Sequence, residues 1–124
     1  MINTIITALT STSTITNLVP ADNIFPVFRL QGSSIPAITV QLVDTEPIET
    51  KDTEVDLDVN LIEITTFHQS PKSAWRVATT IRQRLQGYAG DDVIDTRFVT
   101  QATDIFESTE VHSITQRYNC HTKR

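Results

Sequence analysis

A strand that leads directly into an amphipathic helix, within Glu54–Gly87, constrains the fold more than any other part of the sequence. Alternation of apolar and polar residues over Val55–Leu61 predicts a strand with one buried face. Ser70-Pro71 then provides a helix start, because serine accepts a capping hydrogen bond and proline has the φ of a first helical residue. A strand followed by such a helix predicts one layer of helix packed on one layer of sheet.

The predicted helix ends at Gly87, which is a candidate C-terminal cap. Its apolar residues recur at steps of three and four along one stripe: Ala74, Val77, Ala78, Ile81, Leu85 and Tyr88. Trp75 lies about 100° around the helix from Ala74, at the margin of that stripe and on the side of Arg82. It is either part of the core rim or an aromatic anchor in a subunit interface, where tryptophan is enriched.

The apolar phase of the central strand shifts after Leu61, to Ile62 and Ile64. The second half of this strand is therefore either bulged or covered on both faces, by a neighbouring element or by another subunit. We favour another subunit. The predicted subunit interface then consists of Ile62, Ile64, Trp75 and Arg82.

The other elements complete one domain over residues 1–124. A short helix is predicted at residues 2–10, with a second helical piece that begins after Thr12 or Ser13. The predicted strands are an edge strand or extended segment around Pro26, a strand from Pro36 to Val43, one that starts after Asp91 or Asp92 and continues past a kink to Phe106, and a closing strand over Val111–Cys120. The basic tail after Cys120 is expected to be mobile. This order predicts an α+β fold with a mostly antiparallel sheet of about four main strands and helices packed on one face.

The segment Asp44–Glu54 is strongly acidic. It contains Asp44, Glu46, Glu49, Asp52 and Glu54 against Lys51 alone. Burial of unpaired charge is prohibitive, so this segment is predicted to be a long solvated hairpin connection that faces water or a partner.

Composition excludes several classes of protein. The 124-residue chain has one cysteine and three glycines, so an internal disulfide, a cysteine-based zinc cluster and a glycine-rich phosphate loop have no support. The sequence shows no apolar run of membrane-spanning length and no secretory signal, so a cytosolic site of synthesis is expected. Residues 1–60 carry eight acidic and two basic side chains, whereas a nucleic-acid-binding protein would show a dense basic patch.

No group of residues has the spacing that catalysis or metal binding needs. His112 and Cys120 share one strand face, but eight residues of strand separate them by roughly 25 Å. Asp56 and Asp58 form a possible carboxylate pair and are more simply explained as solubilising residues. We therefore predict no catalytic, cofactor-binding or metal-ligating residue, and no enzymatic activity.

The chain resembles the tail-terminator (tail-completion) proteins of long-tailed bacteriophages. The resemblance rests on the order of elements and on these stretches: Asn23-Ile24-Phe25-Pro26, a strand from Ile35-Pro36, the long strand Glu54–Phe67, the Ser70-Pro71-capped helix to Leu85-Gln86-Gly87, and a closing hairpin that ends in Arg117-Tyr118-Asn119-Cys120. The serine- and threonine-rich break at Thr10–Thr14 departs from the continuous helix more common in that family.

This resemblance implies a structural virion protein without a cofactor, located at the head-tail junction after assembly in the host cytoplasm. Such proteins form a ring, commonly a hexamer, that caps the tail tube, stops its growth and provides the surface for head joining. The implied partners are other copies of the chain, the tail tube protein and a head-completion or stopper protein, while DNA passes through the channel without specific binding. The acidic residues Asp44, Glu46, Glu49, Asp52 and Glu54 are then candidates for the tail-tube contact, because charge complementarity sets register and partner choice.

Two other classes of function share these features. A head-completion or stopper protein of the phage neck would also be a small α+β domain without chemistry. A small non-viral binding domain or enzyme would differ by a deep pocket with converging titratable groups.

Overall fold

The computed structural model describes residues 2–26, 36–48, 57–90, 93–106 and 111–123. In chain order the elements are helix α1 (Ile2–Thr10), helix α2 (Ser13–Thr16), a single 3-10 turn (Ala21–Asn23), strands β1 (Ile24–Pro26), β2 (Ala37–Ile48) and β3 (Leu57–His68), helix α3 (Pro71–Leu85), and strands β4 (Val93–Phe106) and β5 (Val111–Lys123). No helix among the described residues is long and apolar enough to cross a membrane.

The strands form one sheet in the order β1-β2-β3-β5-β4. All neighbouring pairs are antiparallel except β1 and β2, which are parallel. The predicted α+β class and mostly antiparallel sheet are confirmed, and the short parallel edge strand β1 raises the number of strands from about four to five. The connection from β1 to β2 includes residues 27–35, so the predicted edge segment beyond Pro26 lies outside the described residues.

Helix α3 has the predicted ends because its signals are local. The hydroxyl of Ser70 accepts a 3.4 Å hydrogen bond from the amide of Ser73, and Pro71 occupies the first turn. Gly87 follows the helix with a φ of 75°, a left-handed conformation that glycine adopts without steric cost. The buried residues of α3 are Ala74, Val77, Ala78, Ile81 and Leu85, as the stripe predicts.

The core lies between the helices and one face of the sheet. Buried residues of α1, α2 and α3 form one apolar cluster with strand residues on that face; the strand members include Ile38, Val40, Ile62, Ile64, Tyr118 and Cys120. The register places Asn60, Ile62, Ile64 and Thr66 on the same face of β3, and all four are buried. We call this side of the sheet the helix face.

The predicted buried face of the central strand is wrong. Leu57, Val59 and Leu61 lie on the face opposite to the helices and are only half-buried, whereas the fully buried row begins at Asn60. β3 pairs with β5 in unbroken register, so the shift of apolar phase does not reflect a bulge in β3. Instead, β3 has one apolar row on each face, and the two rows lie at different positions along the strand.

Two strands extend further than the sequence predicts. β2 continues to Ile48, because residues 44–48 pair with Leu57–Leu61 after a bulge at Val43. β5 continues to Lys123, so the predicted mobile tail is wrong for residues 121–123, which pair with β3. The kink of β4 that the sequence predicts before Ala102 is wrong in position, because residues 100–106 pair with β5 without a break. The register of β4 shifts earlier, between Val93 and Asp95 and between Phe98 and Thr100.

Candidate functional site

The structure separates the four residues predicted to form a subunit interface. Ile62 and Ile64 have no exposed surface and lie in the core of their own chain. Their assignment to an interface is therefore wrong, because the helices of the same chain already cover them. Trp75 and Arg82 are exposed on α3, and their interface role stays a prediction.

Helix α3 has two distinct flanks beside its buried stripe. On one flank the guanidinium of Arg84 donates a 2.9 Å hydrogen bond to the hydroxyl of Thr12, which ties α3 to the start of α2. On the other flank the guanidinium of Arg82 lies 3.9 Å from the centroid of the Phe98 ring in β4. Trp75, two turns before Arg82 and 60% exposed, belongs to this second flank. The side of α3 nearest to β4 therefore presents an exposed indole and an arginine.

The ring of Phe98 is held by a second aromatic contact. It meets the Tyr118 ring edge to face, with 5.6 Å between the centroids and 75° between the planes. Tyr118 is fully buried, its hydroxyl has no hydrogen-bond partner among the described residues, and burial raises its pKa well above the ordinary tyrosine value while Arg82 opposes that rise. The Arg82 side chain thus packs on an aromatic pair, and no carboxylate of the described residues forms an ion pair with it.

The acidic segment is partly strand and not entirely a loop. Asp44 and Glu46 lie in β2, on the face opposite to the helices, opposite Leu61 and Val59 of β3. Both carboxylates are exposed. The predicted solvated loop is therefore wrong for these two residues, because the hairpin pairing continues to Ile48. Glu49, Asp52 and Glu54 lie outside the described residues.

A shallow depression of about 150 Å³ lies beside these acidic side chains. It is lined by Asp44, Glu46, Val59, Leu61 and Asn119. Its apolar floor comes from the half-buried row of β3, and its rim is acidic. Two carboxylates are thus its titratable groups, and its lining among the described residues contains no histidine or cysteine.

Three apolar residues that sequence reasoning missed project from the sheet. Val43 in β2 and Ile94 and Val99 in β4 are skipped by the strand pairing, so each is a bulge residue. Their exposed fractions are 43%, 48% and 48%. Each follows directly on another apolar residue within an alternating strand pattern, which is the sequence signal that could have identified them.

The bulges lie on the two lateral edges of the sheet. β4 is the edge strand beyond β5. β1 pairs only with Ile38–Val40 of β2, so the second half of β2 is an edge as well within the described part of the chain. Each lateral edge consequently presents an exposed bulge valine, Val99 on one side and Val43 on the other.

Several polar side chains of the domain bond to other groups of the same chain. Asn60 and Gln116 are buried and hydrogen-bonded: the Gln116 amide donates to the carbonyl oxygen of Ala78 at 3.0 Å and to the Gln101 side-chain oxygen at 3.1 Å. Cys120 is buried and its sulfur lies 3.8 Å from the Thr96 hydroxyl. Burial lowers the pKa of His68, whose Nδ1 accepts a hydrogen bond from the amide of Ser70. No group of three metal-binding side chains comes together among the described residues.

Comparison with known proteins gives one family match and a match in fold. The sequence model of a family described as tail completion protein gp17 matches residues 3–123. No curated protein matches the chain by sequence. A chain in the solved structure titled "Virion of native gene transfer agent (GTA) particle" is similar in fold, with a TM-score of 0.73 and 13% identity, over 97% of this chain and 92% of that one.

Proposed function

The chain belongs to the tail completion protein gp17 family, and from that membership we propose that it is a tail terminator, a subunit of a ring that caps the finished tail tube. As a family member it is a structural virion protein and not an enzyme. The observation that carries the proposal is the family match over residues 3–123, which includes every described element except the first residue of α1. The fold of the gene transfer agent virion chain is consistent with it.

The domain suits a ring subunit in its architecture. One face of the sheet is covered by the helices of the same chain, so the opposite face and the two lateral edges are the strand surfaces that the described residues expose. Subunits of a closed ring meet through two different surfaces, one on each side. The proposed ring is a hexamer, and DNA passes through its channel without specific binding.

We propose that the acidic residues after β2 contact the tail tube. Glu49, Asp52 and Glu54 occur between the end of β2 and the start of β3, where the chain has a single lysine, Lys51. Opposite charge on the tube would set the register and the choice of partner. The opposite surface of the ring would then provide the docking site for the head-completion or stopper protein.

Tails assembled without this chain test the proposed role. In a tail-producing host that lacks it, we expect tails of uncontrolled length that do not join heads, and restoration by the wild-type chain. Electron microscopy of normal particles should place the protein as a ring at the head end of the tail. If the tails keep normal length and the heads instead lose their DNA, the protein is a head-completion protein and the terminator role is wrong.

Lysine substitutions test the tube contact. The variant Glu49→Lys/Asp52→Lys/Glu54→Lys should keep the circular dichroism of the wild type, since unpaired charge is not buried in a core and each change replaces one charged side chain by another. It should still yield long or unjoined tails. The exposed Asp22→Lys change, in the turn before β1, is the matched charge control and should assemble normally. Normal particles from the triple variant would exclude a role of these carboxylates in assembly.

A further inference from the structure

The flank of α3 beside β4 and the edge strand β2 carry opposite charge. Arg82 lies on that flank, over Phe98 of β4, and α3 contains no acidic residue. The edge strand β4 itself contains Asp104 and Asp95, and Asp95 is paired with Arg97 at 2.8 Å. Strand β2, which forms the other edge, contains Asp44 and Glu46 and no basic residue. Within the described chain, neither Arg82 nor either of these carboxylates takes part in an ion pair. Each edge therefore has charge available for a partner of opposite sign.

The charges lie beside exposed apolar groups on both edges. Val43 immediately precedes Asp44, and the acidic depression lies on the same strand. Val99 immediately follows Phe98, the ring covered by Arg82, and Trp75 lies on the same flank of α3. A valine next to a carboxylate on one side thus matches a valine next to an arginine on the other. We call the group Val43, Asp44 and Glu46 the acidic edge. We call the group Trp75, Arg82 and Val99 the basic edge.

The bulges decide what kind of contact the edges can make. Edge strands that avoid pairing usually carry charges or bulges, because a regular edge adds further strands. Here bulges interrupt the ladder at Val43, Ile94 and Val99, yet the residues that project from them are apolar. Such edges are poor templates for continuous strand pairing and good surfaces for side-chain packing against a complementary surface.

We infer that the basic edge of one copy packs against the acidic edge of the next copy, so that the ring closes through Trp75, Arg82 and Val99 on one side and Val43, Asp44 and Glu46 on the other. This inference rests on the proposed ring. Contact between two acidic edges or two basic edges would oppose like charges, which costs binding energy. A head-to-tail contact pairs opposite charges and leaves one free edge on each copy, which is the requirement for a ring.

Cross-linking of engineered cysteines tests the arrangement. In a Cys120→Ser background, the variant Val43→Cys/Val99→Cys is incorporated into particles and treated with a short bis-maleimide. We expect a ladder of covalent multimers that ends at the ring size. The single variants Val43→Cys and Val99→Cys are the matched controls and should give no dimers, because head-to-tail contact never brings two identical positions together. Dimers from either single variant would show a two-fold contact and would overturn the inference.

Charge reversal gives a second, independent measurement. Asp44→Lys/Glu46→Lys makes both edges basic and Arg82→Glu makes both edges acidic, so each variant alone should lose at least tenfold in assembled ring. A mixture of the two variants should recover assembly by alternation in a ring of even number. Circular dichroism should show that each variant is folded, and the exposed Asp22→Lys change is the control.

The outcomes separate this inference from the proposed function. If wild-type rings are present at the tail end but the charge-reversed variants assemble equally well, the ring is correct and the assigned edges are wrong. If the cysteine pair gives no ladder while imaging shows rings, the same conclusion holds. If normal particles contain the protein as single copies, both the ring and the edge contact are wrong.

Discussion

The side-chain amide of Asn60 donates a 2.8 Å hydrogen bond to the hydroxyl of Thr122, within the buried layer of the sheet. The same amide nitrogen donates to the carbonyl oxygen of Cys120 at 3.2 Å, and the Asn60 oxygen accepts from the Thr45 hydroxyl at 2.8 Å. One side chain thereby joins β2, β3 and β5 near the end of the hairpin. A buried asparagine without partners would destabilise the core, but here both the amide nitrogen and the oxygen of Asn60 have hydrogen-bond partners.

Replacement of this asparagine should destabilise the domain. Asn60→Ala leaves two buried partners, the Thr122 hydroxyl and the Cys120 carbonyl oxygen, without this bond, and such loss costs about 1–3 kcal/mol in the free energy of unfolding. Urea denaturation measures the effect. The control is Thr65→Ala, whose hydroxyl lies 3.3 Å from that of Thr115 at a position that water reaches, so that its cost should be under about 1 kcal/mol. Equal costs for the two variants would contradict a structural role for the Asn60 bonds.

Gly87 should be needed for its backbone conformation and not for space. An added Cβ at this residue meets no atom within 4 Å, while its φ of 75° is unfavourable for L-residues with a side chain. Gly87→Ala should therefore lower the free energy of unfolding by about 1 kcal/mol. Gly87→Asn is the matched variant, because asparagine tolerates the left-handed region, and it should cost less. An alanine variant as stable as the wild type would argue against this cap.

Tyr118 should make stability fall at alkaline pH. Its pKa is raised above the ordinary 10.0 in the folded chain by burial, so the unfolded chain releases the proton first as the pH increases. The stability from this group is complete below pH 10 and is lost above it, with a slope of up to about 1.4 kcal/mol per pH unit. Unfolding between pH 9 and 11 measures the slope.

Tyr118→Phe should flatten that pH dependence. At neutral pH the variant should be as stable as the wild type or slightly more stable, since it removes a buried hydroxyl that has no partner among the described residues. A steep slope that persists in Tyr118→Phe would assign it to other groups.

Substitution of Ile64 should lower stability, whereas substitution of Trp75 should reduce ring assembly. Ile64→Ala removes fully buried methyl groups, so the free energy of unfolding should fall by about 2–5 kcal/mol. Trp75→Ala removes a side chain that is 60% exposed, so stability should change by at most about 1 kcal/mol while ring assembly is reduced. Denaturation and particle counts measure the two effects. Normal assembly by the folded Trp75→Ala variant would remove Trp75 from the interface.

Local signals in the sequence determined the helices and the class of fold. Ser70, Pro71 and Gly87 set the ends of α3 through one capping bond and two backbone preferences, which depend only on neighbours along the chain. The spacing of Ile2, Ile5, Ile6 and Leu9 predicts α1 for the same reason. The alternating strands and the order of elements were sufficient for an α+β domain, and the same order carried the resemblance to tail-completion proteins.

The sequence alone did not decide which face of the central strand is buried. β3 has one apolar row at Leu57–Leu61 and another at Ile62 and Ile64, and either row satisfies the period of a strand. The packing of α1 and α3 selects the second row, and this moved Ile62 and Ile64 from a predicted interface into the core. A choice between two faces depends on what covers each face, which residues distant in sequence supply.

Tertiary structure also decided which residues lie at the edges of the sheet and which of them are exposed. Asp44 and Glu46 became strand residues because β3 continues to pair with β2 past the bulge at Val43. Val43 and Val99 became exposed because the ladders skip them. Composition and period are properties of one segment, so the sequence by itself determined the elements and their class. Register, bulges and the pairing of distant strands arise from contacts between segments, so only the folded chain decided which side chains remain available to a partner.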